Sequence, residues 1–210
     1  MTYVRNEAGN PLLVYRGEHG PSGQCLETRY PSITFTEYPD IASGYASHPN
    51  NLADCNGSKS PRVIPAYLDI QNPVVNTPCD PFVELVDLEA ALGRDEAVAI
   101  AMRLEESFTE TNNWFDSIQP RYGVDTIEDF FAVCPDGTNK LYGEAFRIFD
   151  DPQTIATLKA HGYDGAIHAG VGESMRTAEY RVFDPSQVTF ALEQVPVEPE
   201  LTDDDEMDLS

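Results

Sequence analysis

The sequence predicts an α+β protein in which strands near both ends of the chain enclose a helical middle. Short runs of β-branched and aromatic residues, bounded by Pro, Gly and Asn clusters, lie within 11–75 and again within 165–192. Apolar residues recur at helical spacing between 82 and 132. Because the helices are grouped rather than alternating with strands, an α+β domain is favoured over a regular βαβ wind.

The first zone contains three predicted strands, at 12–15, 33–36 and 63–70. A short helix is expected over PDIASGYA, where Pro39 suits the first helical turn. Tyr45 lies on this helix, nine residues after Thr36.

The middle zone predicts two helices separated by Gly93, the second beginning at Asp95. Aromatic residues follow, and core packing explains them without any further role: Trp114, Phe115, Phe130 and Phe131.

In the last zone, Asp151 is expected to cap a helix that ends at Gly162. A strand at 165–168, the Gly-rich stretch AGVGESMRT, a strand at 179–183 and a closing strand at 188–192 complete the pattern.

Charge limits the classes of partner. The chain has 13 Lys and Arg against 36 Asp and Glu, a net charge of −23, and no cluster of basic residues that would grip a phosphate backbone. A basic protein partner, or mimicry of nucleic-acid charge, stays open. Residues 191–210 hold eight acids and no base, which predicts a disordered acidic tail after a single domain at 1–190.

Neither a secretory signal nor a membrane span is expected, because the N-terminus has no apolar run and no stretch reaches the required length of about 18 residues. The four cysteines lie far apart and form no C-x-x-C pair. We therefore expect reduced thiols in a cytoplasmic protein, with no metal site and no contact with a membrane.

Three segments carry polar side chains that are candidates for binding or catalysis. Arg16 follows the first apolar run and precedes Gly17, so that a guanidinium would stand at a strand end with a flexible backbone beside it. In ITFT the two threonines share one side of the strand and the two apolar residues share the other. Glu179 begins a strand directly after the Gly-rich stretch. Each feature alone also has an ordinary structural explanation.

Taken in order, these segments resemble the ADP-ribosyltransferase family, and most closely its toxin-like and phage-type members of the Arg–Ser–Glu class. The similarity rests on an Arg-Gly closing the first strand, a Thr-x-Thr strand followed by A-x-x-Y-A, and a late EYRVF strand. Further similar phrases are AYLDI with Asn72-Pro73, GYDGAI at 162–167 and FDPSQV at 183–188. The similar segments, 12–75 and 155–190, make up around half of the chain.

The resemblance implies a split β-sandwich with helices inserted between the strands, and a site for NAD, which is consumed as a substrate without a metal. Arg16 would grip the phosphates and Gly17 would hold the nicotinamide amide. The family's Ser-Thr-Ser strand matches Thr34-Phe35-Thr36, so that these three residues would bind NAD, and Thr34, in the first serine's place, would also take part in catalysis together with Arg16. Tyr45 would pack against nicotinamide, and Glu179 would be the catalytic glutamate.

The implied activity is transfer of one ADP-ribose to a macromolecule, with a protein favoured over a nucleic acid. Arginine-modifying members carry Glu or Gln two residues before the glutamate, whereas this chain has Thr177, so another side chain, a nucleic acid or water is open as acceptor. Related domains in phages and mobile elements suggest an effector acting in a host cytoplasm. Two alternatives stay open: an acidic, non-catalytic binding protein or inhibitor on a degenerate transferase scaffold, and an NAD glycohydrolase.

Overall fold

A computed structural model describes residues 3–20, 30–47, 60–170 and 177–191. The strands are β1 (Val14–Gly20), β2 (Ile33–Thr36), β3 (Ser60–Leu68), β4 (Pro73–Thr77), β5 (Phe82–Glu84), β6 (Tyr142–Glu144), β7 (Gly165–Ala169), β8 (Ala178–Val182) and β9 (Val188–Phe190). The helices are α1 (Pro39–Ser47), α2 (Leu85–Leu92), α3 (Arg94–Arg103), α4 (Glu105–Thr109), α5 (Gln119–Tyr122), α6 (Ile127–Val133), α7 (Ala145–Phe149) and α8 (Pro152–Ala160). A π-helical turn spans Trp114–Ile118.

Seven strands form a mostly antiparallel sheet in the order β4-β7-β8-β2-β1-β3-β9, while β5 and β6 make a separate antiparallel pair. Among the strand pairs that the structure describes, only β4 and β7 run parallel. The joint between β1 and β2 is narrow, with one register pair (Tyr15 with Thr36), whereas β1 and β3 share seven. The sheet is therefore weakly joined at its centre.

Each face of the sheet has its own core. On one face, the sheet packs against the inserted helices. This larger core consists mainly of aliphatic and aromatic side chains of those helices, including Trp114, Phe130 and Phe149, together with sheet residues such as Ala166. On the other face, apolar side chains from both halves of the sheet form a second cluster: Val14, Ile33, Phe35, Ala66, Leu68, Ile167, Ala178, Tyr180 and Val182. We call the first side the helical face and the second the opposite face.

The predicted α+β class is confirmed, together with the helical middle and most element positions. Asp151 caps α8 by accepting a hydrogen bond from the Thr154 amide at 2.8 Å, as its position predicts. The first strand does not end at Tyr15, because β1 continues to Gly20 in register with β3. Arg16 therefore lies within a strand rather than at its end. The predicted elements do not include β4, β5 or β6, and β5 lies at 82–84, at the start of the zone predicted to be helical.

The aromatic residues of the middle zone divide between core and surface. Trp114 and Phe130 are buried, Phe131 packs partly against them, and Phe115 is exposed. Cys79 and Cys134 are free thiols, whereas Cys25, Cys55 and the acidic segment 192–210 lie outside the described residues. Within the described ranges, no helix combines the length and the apolar character that crossing a membrane would require.

A dense set of hydrogen bonds, which we call the loop junction, ties the turn before β4 to the ends of β7 and β8. The Asp164 carboxylate accepts from the backbone amides of Gln71 and Asn72 at 2.7 and 2.8 Å. The Gln187 amide donates to the Asp69 and Asp164 carbonyl oxygens, both at 2.8 Å, and its oxygen accepts from the Phe183 and Asp184 amides. The GYDG and FDPSQV phrases thus meet in a structural role.

Candidate active site on the helical face of the sheet

The centre of the site is Glu179, a carboxylate near the start of β8 that is 4% exposed. The Tyr45 hydroxyl, on α1, donates to its Oε1 at 3.4 Å. The Arg181 guanidinium, two residues along the same strand, lies 3.5 Å from its Oε2. Two different elements thus hold the two carboxylate oxygens.

Strand register brings further polar side chains beside this carboxylate. Thr36 of β2 lies directly opposite Glu179, and Thr34 lies opposite Arg181. On the other side of β8, His168 of β7 is also paired with Glu179. Since directly opposed residues of antiparallel strands project from the same face, these five side chains share the helical face.

Burial sets the protonation behaviour of Glu179. Desolvation raises the pKa of its carboxyl above the usual range, and the nearby Asp150 carboxylate raises it further. The Arg181 charge and the hydrogen bonds from Tyr45 and Arg181 act in the opposite direction without cancelling the effect of burial. Glu179 therefore ionises at a higher pH than an exposed glutamate does.

Arg181 is anchored on its far side. It is 4% exposed, and its Nη1 donates to Asp150 Oδ1 at 2.6 Å and to Ser32 Oγ at 3.1 Å. Ser32 in turn donates to the Phe149 carbonyl oxygen at 2.9 Å. These bonds fix the guanidinium between the sheet and the end of α7, because a buried ion pair with several hydrogen bonds has a defined geometry.

His168 is a fully buried neutral imidazole next to this network. Burial and the Arg181 charge lower the pKa of His168 to about 3. Its ring stacks on Phe149, with ring centroids 5.7 Å apart, and its Nδ1 donates to the Ala169 carbonyl oxygen at 2.7 Å. Nε2 is then a bare acceptor, and no partner for it is found in the part of the chain that the structure describes.

Helix α1 reaches the site because the sheet beneath it carries a glycine. A Cβ on Gly17 would lie 1.7 Å from the Ala42 carbonyl oxygen and 2.9 Å from the Ala46 nitrogen. Ala42 and Ala46 are small and buried, so that the helix backbone comes close to β1. This close packing accounts for Gly17 and places Tyr45, which is 43% exposed, over Glu179.

Arg16 and Phe35 belong to the opposite face, since both lie one residue away from strand positions that face the helices. Arg16 donates to Glu18 Oε2 at 2.9 Å and to the Thr34 carbonyl oxygen at 3.2 Å. Phe35 is 1% exposed in the second core. The structure thus brings together Gly17, Thr34, Thr36, Tyr45 and Glu179, and it leaves Arg16 and Phe35 on the other side of the sheet.

Sequence reasoning missed Arg181, Asp150 and the position of His168. It gave the catalytic threonine role to Thr34, and the register places Thr36 directly opposite Glu179. The two-residue period of a strand already places Arg181 on the same face as Glu179. The segment EYRV therefore predicts that Arg181 is a neighbour of Glu179. The choice between the two threonines depends on register, which the sequence does not show.

The arrangement can stabilise positive charge that develops next to it. A buried, fixed carboxylate with a half-exposed aromatic side chain at its edge is suited to a ligand that becomes cationic during reaction. Most of the Gly-rich stretch AGVGESMRT, at 171–176, lies outside the described residues. No cluster of three or more His, Cys, Asp or Glu side chains placed to bind a metal occurs within the described ranges.

Comparison of the chain with protein-family models, with curated proteins and with solved structures found no match.

Proposed function

We propose that this protein is a mono-ADP-ribosyltransferase that cleaves NAD and transfers ADP-ribose to a macromolecule. The observation that carries the proposal is the convergence on one sheet face of the buried Glu179 carboxylate, the Tyr45 hydroxyl at 3.4 Å and Thr36 in the opposing register position. The weak joint between β1 and β2 supports the finer proposal of a split β-sandwich.

In this proposal the bond between nicotinamide and ribose breaks and its electron pair leaves with nicotinamide. Positive charge then develops on the ribose, as in glycoside cleavage, and the ionised Glu179 stabilises it at short range. The acceptor's nucleophile forms the new bond to the same carbon and loses a proton, so no oxidant or reductant takes part. Tyr45 holds Glu179 before NAD binds and packs against nicotinamide afterwards.

Arg16 needs a rearrangement to take part. Its guanidinium is bonded to Glu18 on the opposite face, so binding the dinucleotide phosphates would exchange a carboxylate for a phosphate as partner. The narrow joint between β1 and β2 is where such a ligand would pass from one face to the other. Gly17 and Thr34 flank this joint, which keeps both of them in the proposed NAD site.

We infer a basic protein as the acceptor, because a net charge of −23 attracts cationic surfaces and repels nucleic acids. Thr177 stands where arginine-modifying relatives of this kind carry an acidic or amide side chain, so the modified side chain is not assigned. A phage-type effector that acts in a host cytoplasm is the biological setting that fits this proposal.

The test is nicotinamide release from NAD by the purified protein, with and without a cell lysate. Glu179→Gln is expected to lower release by about a hundredfold or more, since it removes the charge at the reacting centre and keeps the shape. Glu37→Gln is the matched control, because Glu37 bonds Tyr180 on the opposite face. Labelled ADP-ribose on a lysate protein supports transfer, and release without labelling indicates the glycohydrolase.

The Arg16–Glu18 pairing favours a second candidate, an acidic binding protein on a degenerate scaffold. In that case, no nicotinamide is released by either form of the protein. Binding to a basic partner would instead weaken strongly as salt rises from about 50 to 200 mM, because salt screens exposed charges. Glu179→Gln would leave that binding unchanged.

A further inference from the structure

The buried ion pair between Arg181 and Asp150 lies immediately beside the carboxylate that the proposed function requires. Arg181 Nη1 is 2.6 Å from Asp150 Oδ1, whereas Arg181 Nη2 is 3.5 Å from Glu179 Oε2. The two contacts are unequal, so the guanidinium is held mainly by Asp150 and acts on Glu179 from a fixed distance. Side-chain exposures of 5% and 6% for Arg181 and Glu179 keep water from screening that interaction.

We propose that Arg181, anchored by Asp150, is a positioning residue that holds Glu179 in place and sets how readily its carboxylate stays charged. The inference rests on the proposed function and goes beyond it, since that proposal gives neither residue a role. Asp150 closes α7 and Ser32 connects Arg181 to the same helix end, so the position of Glu179 is tied to the inserted helices.

The two partners act on Glu179 with opposite signs. The Arg181 charge lowers the pKa of Glu179, and the Asp150 charge raises it. If the pair acted only as a structural support, removing either partner would change the pKa of Glu179 in the same direction. If it acts through its charges, removing Arg181 raises that pKa and removing Asp150 lowers it.

Other groups on the helical face do not have this property. The neighbouring elements place five described side chains on the same face as Glu179: Tyr15 on β1, Thr34 and Thr36 on β2, Tyr45 on α1, and His168 on β7. His168 is neutral above its pKa of about 3, and threonine has no ionisable group. Arg181 and Asp150 are thus the charged groups near Glu179 on the described part of this face.

The experiment follows the Glu179 carboxyl by ¹³C NMR titration in the full-length protein, in the wild type and in Arg181→Met, Arg181→Lys and Asp150→Asn. We expect the titration midpoint to rise in Arg181→Met, to fall in Asp150→Asn and to stay near wild type in Arg181→Lys. Nicotinamide release by Arg181→Met should fall by up to about tenfold at acidic pH and less at pH 8, since the loss of an opposite charge raises the pKa of a carboxyl by about one unit.

Arg103→Met is the matched control, because Arg103 makes a 2.7 Å ion pair with the neighbouring Asp151 and does not contact Glu179. It should leave the Glu179 midpoint unchanged. Midpoints that move in the same direction in Arg181→Met and Asp150→Asn, or that do not move, overturn the inference. If Arg181→Met does not fold, the Asp150→Asn variant decides alone, and a Glu179 midpoint that is not lowered in it overturns the inference. Shifted midpoints in a protein that releases no nicotinamide would overturn only the proposed function.

Discussion

The loop junction and the helical face around Glu179 are both rich in polar side chains, but they are built differently. In the junction, side chains bond mainly to backbone groups, and Asp164 and Gln187 each satisfy several donors or acceptors. Around Glu179, side chains bond to other side chains, and His168 Nε2 has no partner among the described residues. The junction stabilises the fold, whereas the helical face buries a carboxylate, a guanidinium and an imidazole next to one another.

The contrast between the two regions also bears on the resemblance to the ADP-ribosyltransferase family. The phrases that are most specific for the resemblance, GYDG and FDPSQV, lie in the loop junction. Their hydrogen bonds there stabilise the fold. The residues that would carry chemistry lie in short segments with ordinary composition. A family resemblance carried by such phrases therefore predicts a fold more directly than an activity.

The largest effect is expected where helix and sheet approach most closely. Gly17→Ala should destabilise the protein by about 3 kcal/mol or more, because the added methyl would overlap the Ala42 carbonyl and force α1 outward. Gly44→Ala, on the same helix with open space around it, should instead stabilise by about 0.5–1 kcal/mol. Urea unfolding of both variants measures the difference, and equal effects would contradict this account of α1.

The loop junction should matter for stability and not for chemistry. Asp164→Ala removes the acceptor of two backbone amides and should cost about 2–3 kcal/mol of unfolding free energy. Nicotinamide release per folded molecule should stay at the wild-type level. A protein that keeps its stability but loses release would place the junction within the active site.

The buried imidazole predicts acid lability. Because folding lowers the pKa of His168 to about 3, its unfolded form binds more protons, and stability is lost as pH falls below about 6.5. Between pH 7 and pH 5 the loss amounts to about 2 kcal/mol. Denaturant unfolding of His168→Leu should lack this loss, while the exposed His161→Leu should retain it. A wild-type slope in His168→Leu would mean that another group is responsible.

The smallest effect distinguishes the two threonines. Thr36→Val should lower nicotinamide release about tenfold, since Thr36 lies opposite Glu179 and its hydroxyl is lost from the charged site. Thr34→Val, one pair further along and opposite Arg181, should lower it less. Initial rates at saturating NAD measure both, and the reverse order would favour the assignment of Thr34 from sequence.

The sequence alone determined the α+β class, the positions of four of the eight described α-helices (α1, α2, α3 and α8), and the segments in which polar residues gather. These features depend on local preferences, such as Asp151 before a helix or the alternation in ITFT, and local preferences can be read along the chain. Short strands such as β5 and β6, of three residues each, gave no pattern long enough to detect.

Tertiary structure decided which of the polar residues meet. A shift of one residue in register would exchange the faces of β2, so the pairing of Thr36 with Glu179 and the separation of Arg16 from both are properties of the assembled sheet. The burial that raises the pKa of Glu179, and the anchoring of Arg181 by Asp150, 31 positions earlier in the chain, require the helices to be packed in place. Contacts between distant segments have no local signature, because they depend on the packing of the whole chain.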